Sequence, residues 1–397
     1  MTGNHGATIR VVVIGGGYAG SLAANHLRLR AGIDITLVNP RPVFVERLRL
    51  HQFVAGTHGA AIGYESLLGK GIRLILDSAV RIDSTARTVE LASGPPVDYD
   101  YVVYAVGSTA TTPEAVPGVT EYAYPLGEWE YARRLRAALG AASADVPVTV
   151  VGAGLTGIET AAAMAEQGRA VTLVSDRGLA PAFLEPARRA VARWLAHNGV
   201  DVREDARVTE VRPGVVVLAD GSELCGAITI WATGFGVPDL AVRSGLRTDP
   251  LGRLVTDETL TSIDDDRIVG AGDAVAPSGR ALRMSCYAAG PLGIQAADNV
   301  LARLAGIEPK ALAVPFAGST AGLGRRAGVL QFARSDDTPV RLFLSGRMGG
   351  LVKKVGLAAP MWGLRMEARR PGSVPSMTGF GGRRELSASG PEAAVNR

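Results

Sequence analysis

The sequence predicts an α/β protein built on two parallel-sheet nucleotide folds, the second inserted into the first, with a smaller C-terminal region behind both. Three observations carry that expectation. Val11 to Ile14 is a short, wholly apolar run of the kind a buried parallel strand needs, and a glycine cluster and a helical stretch follow it. The same order of strand, glycines and helix recurs from Val148. One more apolar strand, Arg267 to Gly272, leads into a long helix over roughly Ala288 to Leu304.

Taken in order, Ser21 to Arg30 reads as the first helix and Ile33 to Val38 as the strand that completes a βαβ unit. Ile72 to Leu91 alternates as antiparallel strands do, and Tyr99 to Val106 is a buried strand ending at Gly107. In the second unit a helix runs through Gln167, a strand covers Ala170 to Val174, and Ile228 to Gly234 closes the fold. A repeat at this separation means two nucleotide folds, since solenoid periods are far shorter. The expected division is 1–112 and 246–315 for the first fold, 113–245 for the second and 316–369 for the C-terminal region. In that region Gly328 to Phe332 and Val340 to Leu344 are strand-like, and Arg347 to Leu364 is basic and apolar, with Pro360 expected to end any helix before it. Residues 370–397 lose periodicity and gain glycine, serine and proline, which predicts a disordered tail.

Composition excludes several classes. The 397 residues are 47% hydrophobic and carry a net charge of +4, with arginines scattered among acids, so nucleic acid is not an expected partner. A basic patch against an anionic membrane stays open. The two cysteines, Cys225 and Cys286, have no CxxC or CxxxxC spacing, which argues against a disulfide framework and for a cytosolic setting. The five histidines lack ligand spacing, so no metal is expected. Met1 to Arg10 has no signal-peptide build, and no segment is apolar for the roughly 18 residues a membrane span requires.

The first glycine cluster, Gly15, Gly17 and Gly20 with Tyr18 and Ala19 between them, fits GxGxxG, in which backbone amides approach a pyrophosphate at a helix N-terminus. Asn39 stands where an acid usually meets the ribose, and its amide is the candidate contact. The second cluster, Gly152, Gly154 and Gly157 with Leu155 and Thr156, has the same context and is followed by Glu159. Ser175 and Asp176 fall at the ribose position of that unit, where a carboxylate favours NADH and the adjacent Arg177 favours NADPH. Asp176 also reads as a solvated loop residue.

The segments VVVIGGGYAG, VVGAGLTGIE, YAVGS, WATGF and IVGAGDAV occur in the order seen in two-dinucleotide flavoprotein reductases. Over about residues 1 to 315 the chain resembles that superfamily, and within it the type II NADH dehydrogenase and apoptosis-inducing-factor-like branch. The resemblance implies FAD in the first fold and NADH or NADPH in the second. It implies that Gly272 and Asp273 meet the ribityl chain, and that Ala105 to Gly107 and Ala232 to Gly234 mark crossings between the folds. It also implies that Met284 to Pro291, with Leu292, lie beside the flavin at a helix N-terminus whose partial positive charge stabilises the reduced ring. On its own Asp273 reads equally as a helix cap.

Val45 to Gly56 resembles the flavin-contacting stretch of this branch, which makes Arg47 a cofactor candidate and His51 and Gln52 candidates to touch the ring or a substrate. His51 as a packed core histidine, and Glu159 as an acid serving the helix dipole instead of positioning nicotinamide or relaying protons, are the alternative readings.

The sequence also departs from the family. It lacks the vicinal cysteine pair of disulfide-reducing members, has only Gln295 where quinone-reducing members carry paired glutamines, and offers a short counterpart of their amphipathic C-terminal helices. The expected activity is hydride transfer from NAD(P)H to flavin N5 and onward to a second acceptor, a quinone by resemblance. Rivals are a tailoring flavoenzyme acting on a specialised metabolite and a nucleotide-controlled binding protein. Neither the oligomeric state, a homodimer among the options, nor the roles of Cys286, Arg325 and Arg326 follow from the sequence.

Overall fold

The computed structural model describes residues 8–111 and 116–376. Two five-stranded sheets, parallel throughout, form its frame. The first runs in the order Ile268–Gly270, Tyr101–Tyr104, Ile9–Ile14, Ile33–Val38, Ile72–Ile75. The second runs Ala123–Pro125, Ile228–Trp231, Val148–Val151, Val171–Val174, Val200–Arg203. In each, the strand that feeds the glycine cluster is central, so the loop emerges at the carboxyl edge where doubly wound sheets bind ligands. Those central strands are buried over Val11–Ile14 and Val148–Val151, which is why these stretches are almost wholly valine and isoleucine, with Thr149 the exception.

The helices that matter for the site are α1 (Tyr18–His26), α2 (Leu50–Val54), α3 (Leu155–Ala165), α4 (Cys286–Leu304) and α5 (Gly346–Arg369). Helices α1 and α4 pack closely, since a Cβ at Gly293 would overlap the Ala19 carbonyl. A three-stranded antiparallel sheet, Gly318–Leu323, Ala327–Ala333 and Pro339–Ser345, precedes α5. This C-terminal layer spans both folds. Met361 and Leu364 of α5 enter the core of the first, while Ala321, Leu323 and Val329 enter the core of the second beside Ile158 and Ala161.

Several expectations need correction. Ile72–Ile75 is the parallel edge strand of the first sheet, and antiparallel pairing begins only at Ala79–Asp83 with Thr88–Leu91. The first helix starts at Tyr18, tight against the glycines, and the long helix starts at Cys286. Pro360 does not end α5, which continues to Arg369. The hydrogen bond that Pro360 cannot make falls on the carbonyl of Gly356, which is exposed to solvent, and burial of Leu357, Met361 and Leu364 holds the turn. The tail expected from residue 370 begins with an ordered turn, because the Glu367 carboxylate accepts hydrogen bonds from the Gly372 and Val374 amides and the Ser373 hydroxyl. Residues 377–397 and the boundary at 112–113 lie outside the described residues.

Candidate active site

The first glycine loop is braced from three sides. Gly15 adopts φ +103°, and a side chain there would strike Ala105, which accounts for glycine. The Asn39 carbonyl oxygen accepts from the Gly16 amide at 3.0 Å, while its amide donates to the Arg41 carbonyl at 2.7 Å. Tyr64 and Ser21 both donate to the Gly16 carbonyl, at 2.8 and 3.0 Å. Asn39 therefore shapes the loop through its inward contacts. Gly17 caps α1 without any side-chain partner and faces open space, so the first amides of the helix are available to an anion.

Asp273 joins this loop to α4. One carboxylate oxygen accepts the Ser108 hydroxyl at 2.7 Å and the other accepts the Ser285 amide at 3.2 Å, and the Ser285 side chain caps α4. Arg47 donates to Ser108, and its second terminal nitrogen is buried without a hydrogen bond, 4.0 Å from Glu128. The Tyr18 hydroxyl is likewise buried and unpartnered. A guanidinium nitrogen and a phenol that are buried without a hydrogen bond among the described residues, with an open helix N-terminus, fit a bound flavin nucleotide, which presents phosphate and hydroxyl oxygens to such donors. Burial pushes the Cys286 thiol up to about 12, so it is no thiolate nucleophile. Pro291 is half-buried in α4, whereas Leu292 packs inward with Leu22 and Ala23.

The second loop repeats the backbone without the bracing. Gly152 adopts φ +106° against Ala232 and Thr233, and Gly154 caps α3 with open space before it. Leu155 and Thr156 open α3, and Gly157 lies against the Gly152 carbonyl. The buried Ser175 hydroxyl turns to the Gly178 carbonyl at 2.9 Å, which leaves Asp176 and Arg177 as the exposed strand-end groups. Just past Gly107 and Gly234, Thr109–Ala110 pairs antiparallel with Phe235–Gly236, so the two crossings run side by side.

Between the folds lies a cluster that spacing alone does not reveal. Glu159 of α3 is buried and receives the Lys353 ammonium of α5 at 2.6 Å and the Gly322 amide at 2.7 Å. His51 of α2 places Nδ1 3.5 Å from the other oxygen of Glu159. Burial opposes a charge on Glu159, but the Lys353 ammonium and the Gly322 amide outweigh it and hold the carboxyl below its usual range. For His51, burial dominates and lowers the imidazole pKa, with Lys353 and Arg49 acting in the same direction and Glu159 against. The cluster thus holds a neutral imidazole, a carboxylate and an ammonium. It borders a cavity of about 430 Å³ lined by Gln52, Gln167, Arg325 and Lys354 among others. Gln52 accepts from Arg49 at 2.9 Å, leaving its amide nitrogen free. The sequence reading did not single out Tyr64, Ser108, Ser285 or Lys353, although Ser108 ends the YAVGS segment, Ser285 lies within Met284 to Pro291 and Lys353 lies in the basic stretch.

Comparison with known proteins assigns this arrangement to a family. A family model described as pyridine nucleotide-disulphide oxidoreductase matches residues 9–295, which span both nucleotide folds. The chain belongs to that family. It is an NAD(P)H-dependent flavin oxidoreductase, with FAD and a pyridine nucleotide as cofactors. Among relatives of this pyridine nucleotide-disulphide oxidoreductase, an NADH dehydrogenase-like protein of Mycobacterium tuberculosis is 32% identical over 356 residues, covering 81% of this chain and 87% of its own. A type II NADH:quinone oxidoreductase of Haemophilus influenzae is 24% identical, covering 74% and 80%. The fold matches that of the sulfide:quinone oxidoreductase of Aquifex aeolicus, with a TM-score of 0.77 at 20% identity over 90% of this chain and 92% of that one. It also matches NDH2 of Plasmodium falciparum in complex with NADH, at 0.76 and 16% identity over 91% and 97%.

Proposed function

We propose that this oxidoreductase passes reducing equivalents from NADH to a quinone that enters the cavity beside His51, with the protein docked on a membrane surface. The observation that carries the reading is the buried His51, Glu159 and Lys353 cluster at the cavity wall. When bound, the flavin supplies hydride acceptance and two-electron transfer, so the chain's own task at the acceptor is proton supply and orientation. Quinone reduction consumes two protons. Lys353 Nζ holds one beside Glu159, and neutral His51 is in the form that passes a proton between its two nitrogens. The free amide of Gln52 is a donor suited to a quinone carbonyl. Asp176, exposed at the strand end, favours the free 2′-hydroxyl of NADH. The Haemophilus relative's name supports the quinone assignment.

Docking rests on α5. Met348, Leu351, Val355 and Trp362 are each more than half exposed and recur at helical spacing on one face, and Arg347, Lys354 and Arg365 run beside them. Among the described residues no helix is long and apolar enough to cross a membrane, so the contact is peripheral.

Anaerobic stopped-flow spectroscopy tests the function. NADH bleaches the flavin and a quinone restores it, and His51→Ala slows the restoring step by about a hundredfold while sparing the bleaching. A flavin that NADH reduces but no quinone reoxidises refutes the acceptor assignment.

A further inference from the structure

The cavity mouth has a charge balance that quinone reduction does not use. Its lining includes four cations, Arg49, Lys353, Lys354 and Arg325, against two carboxylates, Glu159 and Glu166. Arg49 is answered by Glu46 at 2.6 Å and Lys353 by Glu159 at 2.6 Å. Both oxygens of Glu166 accept the backbone amide of Arg325 at 2.9 Å, so the exposed Arg325 guanidinium gets only a 3.6 Å approach. Lys354 has no hydrogen bond or ion pair among the described residues. The mouth therefore keeps one cation, Lys354, without a partner among the described residues, and a second, Arg325, whose ion pair with Glu166 is long and solvent-exposed. A neutral quinone ring carries no anionic group to pair with such cations.

Lys354 stands next to the exposed row of Leu351 and Val355, and Arg347 and Arg365 flank that row on the same side two and three turns away. A ligand satisfying both rows is apolar along one edge and anionic along the other. We infer that Lys354 and Arg325 form a subsite for the headgroup of an anionic phospholipid at the cavity mouth, so that the lipid completes the entry used by the acceptor. The inference rests on the docking proposed above and adds a headgroup requirement to it. The GLGRR turn thereby acquires a role, because Glu166 fixes its backbone and leaves the Arg325 side chain directed outward.

Cosedimentation of the FAD-loaded, full-length protein with vesicles tests it. Vesicles of phosphatidylcholine are compared with vesicles containing about a third phosphatidylglycerol, at constant ionic strength. Each rim cation contributes about fivefold near an anionic surface, so the wild type binds the anionic vesicles at least about tenfold more tightly. Lys354→Glu with Arg325→Glu abolishes that preference, and Arg81→Glu with Arg243→Glu, a matched charge change on exposed residues outside the cavity lining, preserves it. A wild type that binds both vesicles equally, or a rim variant that keeps the preference, overturns the headgroup subsite and leaves docking standing. Failure to bind any vesicle overturns docking and the subsite together. If free glycerol 3-phosphate binds the rim while vesicle composition makes no difference, the site serves a soluble phosphate and the lipid assignment falls. Binding is read by sedimentation, so the result does not depend on which acceptor the enzyme reduces.

Discussion

The two glycine loops share a backbone and differ in what surrounds it. Both leave a central parallel strand, both use a glycine near φ +105° against a neighbouring strand end, and both open a helix with free amides. Around the first, Asn39, Tyr64 and Ser21 fix Gly16, and the Arg47, Ser108 and Asp273 chain ties the cleft to α4. Around the second, Ser175 turns back on its own loop and Glu204 holds the Leu179 amide beyond it. Preorganised donors lower the cost of holding a ligand, whereas a bare loop in the same geometry lets one come and go. We propose that the difference is that between a resident cofactor and an exchanging cosubstrate, and it can be broken at single residues.

The largest effects belong to the loops themselves. Asp273→Ala removes the acceptor that orders Ser108 and Ser285, and FAD content in the purified protein should fall at least tenfold. Gly154→Val puts its side chain into open space, so the fold survives and the protein stays yellow, while NADH affinity measured by titration drops by about a hundredfold or more. Loss of FAD from the Gly154 variant, or an unchanged Kd for NADH, would erase the distinction between the loops.

Next in size is the ion pair that ties α5 to the second fold. Lys353→Met leaves Glu159 buried with only His51 and one amide to support its charge, and breaking a buried pair on one side costs about 3 kcal/mol. Chemical denaturation should show that loss at neutral pH. The double change Lys353→Met with Glu159→Gln should recover much of it, since no uncompensated charge remains.

The matching tie to the first fold is pH-sensitive. His26 of α1 bonds Glu367 of α5 at 2.7 Å and Asp298 of α4 at 3.0 Å. Burial alone would lower the imidazole pKa, but the two carboxylates raise it to about 9 and are themselves held low. A folded value raised from 6.5 means that the His26 contribution is complete below about pH 6.5 and is lost as pH rises towards 9. The carboxylate contributions are present above the ordinary carboxylate range and fade in acid. Stability should therefore decline by about 3 kcal/mol between pH 6.5 and 9, and His26→Gln should flatten that decline. A wild type with constant stability across that window would place the proton elsewhere.

Much of the frame was legible in the sequence because periodicity and glycine spacing report local geometry. The apolar runs Val11 to Ile14 and Val148 to Val151 needed no partner to be read as buried strands. What escaped was set by tertiary approach. Tyr64, Ser108 and Lys353 meet Gly16, Asp273 and Glu159 across 48, 165 and 194 residues of chain, and no local pattern names those partners. Pro360 misled for the same reason, since packing of Met361 and Leu364 outweighs one missing hydrogen bond.

Asn39 offers the finest test of the comparison. An acid at this strand end would engage a ribose, whereas Asn39 spends both ends of its amide on Gly16 and Arg41. If its task is to hold the loop, Asn39→Ala loses two hydrogen bonds, about 1 kcal/mol each, and FAD should dissociate at least roughly fivefold faster with thermal stability lowered even in the apoprotein. Asn39→Asp keeps the oxygen that accepts from Gly16 and should retain most of the cofactor affinity. If Asn39 instead served the ribose alone, the apoprotein would be indifferent to Asn39→Ala. Stability without FAD thus separates a residue that shapes the loop from one that only touches the ligand.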